Sequence, residues 1–384
     1  MFLGGLAALP LVKTGPRPRV AVVGAGAFGG WTALHLLRAG ADVELLDAWG
    51  PGHARASSGG ETRVIRAIYG SDRIYVEMVL RSYDLWARID PSLYVETGAL
   101  WLHRGDDAYV RSSLPILAEL GFPVDRWTAD EAARRYPQID FKGIKSVYFE
   151  RRAGALSARD ACGVVRDTFV REGGTYRTAR ISVRDVAALR ADVCVFACGP
   201  WLGEIFPDVI GNAIQPTRQE VFYFGTPEGS DRYRPGRFPV WIDFGERIFY
   251  GIPDVHGRGF KIADDTRGQL FDPTTGDRTP GAEAIARARV LLAERFPELA
   301  GAPLLAAEVC QYENSPDGHL IIDRHPAMKN VWIAGGGSGH GFKLSPAVGE
   351  MVAAAVLGGK EIPPLFRLAR LSDAKRATQF EATK

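Results

Sequence analysis

Three groups of residues in this chain could do chemistry that a folded core does not need. The first is the run GAGAFG, Gly24–Gly29, followed by Asp47. In a G-x-G-x-x-G run Gly24 permits a tight turn, Gly26 lets backbone approach a pyrophosphate, and Gly29 lets a helix pack on a strand. Asp47 stands at about the distance expected for a carboxylate that accepts ribose hydroxyls. The second is Cys310, which opens the stretch CQYENSPDGHLIIDRHP just before a turn and two residues from Tyr312. Such a cysteine is either a small buried hydrophobe or a sulfur bonded to something other than protein. The third is a set of basic side chains. Arg63 and Arg66, three apart, would share one face if their segment were helical, and by pattern alone they read as solvated. Lys261 alternates with Phe260 and Ile262 in an expected strand, so it points away from their face, which by pattern alone means solvent.

The elements that must position these residues are legible from periodicity. Arg19–Val23 is a short continuous apolar run, the pattern of a buried parallel strand. Phe28–Arg38 reads as a helix stopped by Gly40, and Val43–Leu46 as the next strand, which completes a βαβ unit. Ala191–Trp201 holds another buried strand running into a glycine turn. Val331–Ala334 is a third, entering the loop GGGSGHGFK, after which a helix starts at Ser345–Pro346 and stops at Gly358–Gly359. Ile248–Gly251 and Phe260–Ala263 read as antiparallel strands, and residues 106–140 and 281–296 as helical. The expected class is α/β in a two-domain α+β arrangement: a Rossmann-type dinucleotide-binding domain with an interleaved substrate domain built on a mixed, mainly antiparallel sheet. The expected boundaries give the nucleotide domain residues 19–85, 151–215 and 309–365. The substrate domain takes 86–150 and 216–308, with residues 1–18 as an N-terminal extension and 366–384 as a C-terminal tail.

The glycine motif alone does not separate FAD from NAD. The chain length and the late glycine-rich segment favour FAD, whose extended body needs protein along its whole length. Asp47 without a neighbouring arginine argues against NADP.

Composition narrows the field further. A chain of 384 residues is long enough for two domains, and 46% hydrophobic with 24% charged residues is ordinary for a globular enzyme. With 47 basic and 45 acidic residues and no basic block, nothing favours a nucleic-acid partner. Cys162, Cys194, Cys198 and Cys310 form no CxxC pair and no metal-ligand spacing, so neither a disulfide framework nor a metal site is expected. No apolar run reaches membrane-spanning length. The opening MFLGGLAALPLVKTGPRP is apolar and ends in a proline-rich joint. It reads either as the remnant of a twin-arginine export signal or as a frayed terminus. A cytoplasmic location is expected, with export as the alternative.

Four stretches then occur together in one order: SSGGETRVIRAIYG, YGIPDVHGRGFKIADD, CQYENSPDGHLIIDRHP and GGGSGHGFK. On these the chain, from about Arg19 to Pro363, resembles the D-amino-acid oxidase superfamily, and within it the monomeric sarcosine oxidase and N-methyltryptophan oxidase branch. The resemblance implies FAD held covalently by a thioether from Cys310. It implies cofactor contacts at Gly24, Gly26, Gly29, Asp47, Ser57, Thr62, Arg63, Cys310, Gly336, Gly339, Gly341 and Lys343. Arg66 and Lys343 would bind a substrate carboxylate, with Tyr250 and His340 lining the pocket. Lys261, Arg63, Tyr312 and Asp265 would serve catalysis, Lys261 by stabilising the superoxide formed when oxygen takes its first electron. A monomer is also implied.

Two positions depart from the sarcosine oxidases: Asp265 and Gly59 stand where histidines are expected. Aspartate could pair with an amine or accept its proton, and glycine would leave room for a larger substrate. The reading is an amine oxidase that converts an N-methyl or cyclic amino acid to an imine and O2 to H2O2. The alternatives are a dehydrogenase that passes electrons to another carrier and, further off, a non-catalytic FAD-binding chain.

Overall fold

The computed structural model describes residues 17–381. The apolar N-terminal stretch, read above as signal remnant or frayed end, lies outside the described residues up to Gly15 and Pro16. Among the described residues no helix is long and apolar enough to cross a membrane.

Two large sheets carry the fold. The first has six strands in the order Ile321–Arg324, Val331–Gly335, Val193–Phe196, Arg19–Val23, Asp42–Asp47 and Thr175–Thr178. Five run parallel and Ile321–Arg324 is an antiparallel edge. The central strands are apolar along their whole length because helices cover their faces. Helix Ala27–Arg38 lies against helix Ser345–Val356, and a β-carbon on Gly349 would run into the backbone of Trp31. Ser345 was expected to cap this second helix. Leu344 takes the cap position instead, and the Ser345 hydroxyl is buried without a partner.

The second sheet has eight strands in the order Leu304–Asn314, Gln215–Phe224, Phe260–Asp264, Ile248–Ile252, Val240–Phe244, Ala99–His103, Ser146–Glu150 and Val124–Trp127. All pairs are antiparallel except Val240–Phe244 with Ala99–His103. This is the mixed, mainly antiparallel sheet the sequence suggested. One face packs Phe222, Trp241, Phe260, Ile262 and Phe296 into an aromatic core. Lys261, Tyr223 and Tyr250 lie on the opposite face.

Two elements differ from the sequence reading. Residues 106–140 form two short helices, Ala108–Glu119 and Ala129–Arg135, separated by the edge strand Val124–Trp127. Gly121, at φ +73°, stops the first helix: its left-handed backbone lets Gly121 N and Phe122 N donate back to the Ala118 and Leu117 carbonyls. Arg63 and Arg66 do not share a helix: Thr62–Ile65 is a strand that pairs with Gly154–Ser157 in a small third sheet. The β-branched residues of TRVI favour extended backbone. Arg63 lies in the strand and Arg66 one residue past its end, and the two arginines serve different neighbourhoods: Arg63 donates to the Thr62 carbonyl and Cys310 Sγ, Arg66 to the Ile68 carbonyl and Gln379 Oε1.

Candidate active site

A cleft with a volume of about 390 Å³ runs from the glycine loop of the six-stranded sheet toward strand Leu304–Asn314. Gly24, Gly26, Asp47, Ser57, Arg63, Tyr312, Gly339 and Gly341 line it. Gly24 has φ +103°, and a β-carbon there would strike the Ala197 carbonyl. Gly29 lies behind the loop, where a side chain would collide with the Gly24 carbonyl, so its role is helix-to-strand packing. Asp47 Oδ2 accepts from Ala25 N at 2.7 Å, while Oδ1 accepts from Trp49 and Gly50 N at 2.8 and 2.7 Å. The carboxylate therefore braces the turn, with lone pairs left over for a ligand hydroxyl. Gly339, at φ +81°, meets the cleft where a β-carbon would press on the Tyr312 ring at 2.7 Å. Gly336 is not among the lining residues; Gly337 is.

These residues fit a dinucleotide. Backbone at Gly24 and Gly26 can approach a pyrophosphate at the N-terminus of helix Ala27–Arg38, and the cleft continues past Trp49 and Trp201 on one side and Tyr312 on the other.

Beyond the cleft the basic side chains gather into two pairs. Lys261 is not solvated as its pattern suggested: it is 1% exposed. Its Nζ donates to the Thr62 carbonyl at 2.9 Å, and Arg63 Nη1 donates to the same oxygen at 2.9 Å. The rings of Tyr223 and Tyr250 lie 5.9 and 5.8 Å from the ammonium. Burial, reinforced by the Arg63 charge, pulls Lys261 down to about 7. Arg63 Nη2 donates to Cys310 Sγ at 3.3 Å. Cys310 is partly exposed, all four cysteines are free, and the neighbouring Gln311, Tyr312 and Glu313 line the cleft.

The second pair is Arg66 and Lys343, both buried, whose charged groups sit 4.8 and 5.1 Å from the centre of the Tyr69 ring. Lys343 Nζ donates to the His340 carbonyl at 2.9 Å. Burial and the nearby Arg66 hold Lys343 well below the usual lysine range. Asp265 closes the group: Tyr312 Oη donates to its Oδ1 at 2.6 Å. Burial pushes Asp265 up to about 6, against the opposing pull of the Tyr312 hydrogen bond, Arg66 and Lys343. His340 takes the plain structural role. Its Nε2 faces the Gly318 carbonyl at 2.9 Å and its Nδ1 the Tyr69 hydroxyl at 3.0 Å, so both nitrogens are spent inside the protein. Gly59 does not enlarge the pocket, because the space a side chain would need is filled by the backbone of His53 and Ala54. Gly60 makes room instead, since a β-carbon there would meet the Arg63 guanidinium.

Three participants were missed in the sequence. Glu313 is buried in the cleft wall, accepting from Ser57 Oγ at 3.0 Å and Gly337 N at 3.2 Å. Glu150, fully buried, accepts from Ala67 N, and burial raises it to about 7. Trp101 lies under Arg66, its ring centre 5.1 Å from the guanidinium carbon. Only position along a strand could have flagged them, and period-two alternation does not distinguish a cleft wall from a core.

A Rossmann-type sheet, a glycine-lined cleft and a cluster of buried basic groups at its end together define a dinucleotide-dependent enzyme. The comparison with known proteins narrows the class: residues 19–355 match the FAD dependent oxidoreductase family (DAO), and the chain belongs to it. It is 33% identical to the monomeric sarcosine oxidase of Bacillus sp. (strain B-0618), covering 89% of this chain and 92% of that one. It is 28% identical to the N-methyl-L-tryptophan oxidase of Salmonella agona, covering 91% and 98%. The fold matches the L-proline dehydrogenase from P. horikoshii with a TM-score of 0.79 at 21% identity, over 94% of this chain and 99% of that one. The cofactor of the cleft is therefore FAD.

Proposed function

We propose that this enzyme oxidises the C–N bond of an amino acid with a secondary nitrogen, N-methyl or cyclic, and that O2 is the electron acceptor. The observation that carries the reading is the meeting of Arg66 and Lys343 over Tyr69, with Asp265 in the same group. Among the described residues neither Arg66 nor Lys343 makes an ion pair; buried basic groups so placed cost free energy, and a carboxylate entering between them offsets that cost. The guanidinium supplies two parallel donors. Burial and Arg66 lower the Lys343 pKa, and an arriving negative charge works against that shift.

Asp265 gives the pocket a second polarity. Above about pH 6 it is ionised, so it attracts a substrate ammonium and is the nearest acceptor for the proton that must leave before the amine can be oxidised. Tyr312 holds that carboxylate in one orientation. Carboxylate and ammonium are thus gripped by different residues, which fixes the carbon between them. Bound FAD supplies the two-electron acceptor for that carbon. Cys310, beside Arg63, is the residue we assign as its covalent thioether anchor. Lys261 would stabilise negative charge developing on oxygen. The relatives named for sarcosine and N-methyl-L-tryptophan support the secondary amine.

A second reading rests on Lys261 itself. With its acidity drawn to about 7, half its charge is absent near neutrality, which favours an acceptor other than O2. One experiment separates the readings. Primary, N-methyl and cyclic amino acids are mixed anaerobically with the enzyme, and bleaching of the yellow colour is recorded before air is admitted and peroxide measured. We expect bleaching by a secondary amino acid and one peroxide per turnover. Bleaching without peroxide selects the carrier-linked dehydrogenase, and no bleaching by any amino compound overturns both. Acid precipitation of the same sample tests the anchor, since colour left in the supernatant excludes Cys310 as a tether.

A further inference from the structure

The C-terminal segment doubles back over the substrate pocket. Ala377 N donates to the Pro316 carbonyl at 2.7 Å, and Arg267, two residues after Asp265, donates to the Ala377 carbonyl. Arg376 Nη2 reaches the Asn212 carbonyl at 2.9 Å. Gly318 accommodates the turn: its φ is +79°, and a β-carbon there would lie 3.1 Å from Gln379 N. Past these anchors the Phe380 ring stands edge-on to Tyr109 and Phe244, with centroids 5.0 and 5.2 Å apart. Gln379 Oε1 accepts from Arg66 Nη2 at 2.9 Å, and Phe380 covers the same guanidinium at 5.6 Å.

The two arms of Arg66 therefore end differently. Nη1 is held by the Ile68 carbonyl, a backbone group of the arginine's own loop. Nη2 ends on a side-chain amide from a tail held by a handful of hydrogen bonds. The Arg66–Gln379 bond is charged on the donor side alone, whereas a carboxylate oxygen brings the opposite charge as well and adds the attraction of an ion pair. Gln379 can thus satisfy Arg66 in the free enzyme and still lose to an anion.

We propose that Gln379 is a stand-in for the substrate carboxylate, and that Ala377–Glu381 is a lid which a carboxylate displaces. The exchange makes the tail a specificity element. Every carboxylate must break the Gln379 contact and free Phe380, which weakens its apparent affinity by the cost of opening. A neutral amine gains nothing on Arg66 that Gln379 does not already provide, so it stays outside.

The proposal rests on the reading that Arg66 receives the substrate carboxylate, and the test separates the two. Acetate is titrated into the full-length, flavin-loaded enzyme by calorimetry, in parent, Gln379→Ala, Arg66→Met and doubly substituted forms. Trypsin nicking at the exposed Lys375 and Arg376 is followed with and without acetate. Gln379→Ala is expected to bind acetate about tenfold more tightly than the parent, the worth of one hydrogen bond to a charged group. Acetate is expected to speed nicking of the parent several-fold, and Arg66→Met to abolish both effects. If acetate binding needs Arg66 but is the same in Gln379→Ala, with nicking unchanged, the lid is wrong and the carboxylate reading stands. If acetate binds equally well to Arg66→Met, the carboxylate reading itself falls, and the lid with it.

Discussion

Two pairs of basic side chains lie near each other in this enzyme, three of the four buried and Arg63 half-buried at the cleft, and they are held in opposite ways. Arg63 and Lys261 converge on one backbone carbonyl, that of Thr62, between the rings of Tyr223 and Tyr250. Arg66 and Lys343 converge on one aromatic ring, that of Tyr69, and one of their donors ends on the Gln379 side chain. A carbonyl in a sheet cannot leave, so the first pair is a fixed field. On the displacement proposed above, Gln379 leaves Arg66 when a carboxylate arrives, and the second pair then acts as a receptor. Fixed charge suits an event that brings its own small anion, such as electron transfer to O2, and a receptor suits a substrate that must enter and depart. The difference predicts that substitutions in the two pairs will damage different halves of the reaction.

The largest effect is expected from Lys261→Met. A unit charge about 4 Å from a developing anion, at an effective dielectric near 20, is worth roughly 4 kcal/mol. Reoxidation by air should slow about thousandfold, while anaerobic bleaching by substrate stays within a few-fold of the parent. Stopped-flow measurement of the two half-reactions reads both numbers. Equal loss in both halves would dissolve the distinction between the pairs. Next in size is Arg66→Met, which should lower kcat/KM for the carboxylated substrate by about a hundredfold, the cost of leaving a buried charge without its partner. It should leave reoxidation alone. Arg66→Lys should recover only part of that loss, because an ammonium cannot reproduce the two parallel donors.

How much of this was legible in the residues differs between the same two regions. The βαβ unit around Gly24–Gly29 follows from glycine placement and apolar runs, since its strands are buried on both faces and leave no ambiguity of register. The family resemblance named Arg66, Lys343 and Lys261, and Asp265 as a departure from it, yet it said little about their surroundings. Lys261 alternates like a solvent-facing residue, because a strand pattern reports which side a residue takes and not what lies there. The Thr62–Ile65 strand was hidden by the spacing of Arg63 and Arg66, which mimics a helix face. Gly59 looked like space, but only coordinates reveal that the His53–Ala54 backbone occupies it. Gln379 carried no signal, since a glutamine near a C-terminus has no pattern until the tail is seen lying on Arg66.

A smaller effect sharpens the contrast through pH. Lys261 carries its proton below about 7 and sheds it above. The reoxidation rate should therefore fall as pH rises through that value, by up to tenfold per unit, and Lys261→Met should flatten the profile. Asp265 works in the opposite sense. It is neutral below about 6 and ionised above, so kcat/KM should rise with pH through that value in a limb unaffected by Lys261→Met. Two limbs of opposite sign, one in each half-reaction, are the expected outcome, and a single shared pKa would mean the pairs titrate together.

The smallest effect expected is from Tyr312→Phe, which removes the hydrogen bond to Asp265 at the receptor pair and leaves the Thr62 carbonyl that holds the fixed pair in place. The Tyr312 hydroxyl donates to the Asp265 carboxylate at 2.6 Å and so favours the ionised form. Removing that donor leaves burial as the dominant influence, and the Asp265 pKa should move upward by about one unit, the worth of a hydrogen bond to a charged group. The acidic limb of kcat/KM should follow it to higher pH, costing a few-fold near pH 6.5 and little at pH 8. Reoxidation should not change at any pH. An unmoved acidic limb would assign it to a group other than Asp265, and the attraction for a substrate ammonium would then have to come from elsewhere in the pocket, with Glu150 the next buried carboxylate near Arg66.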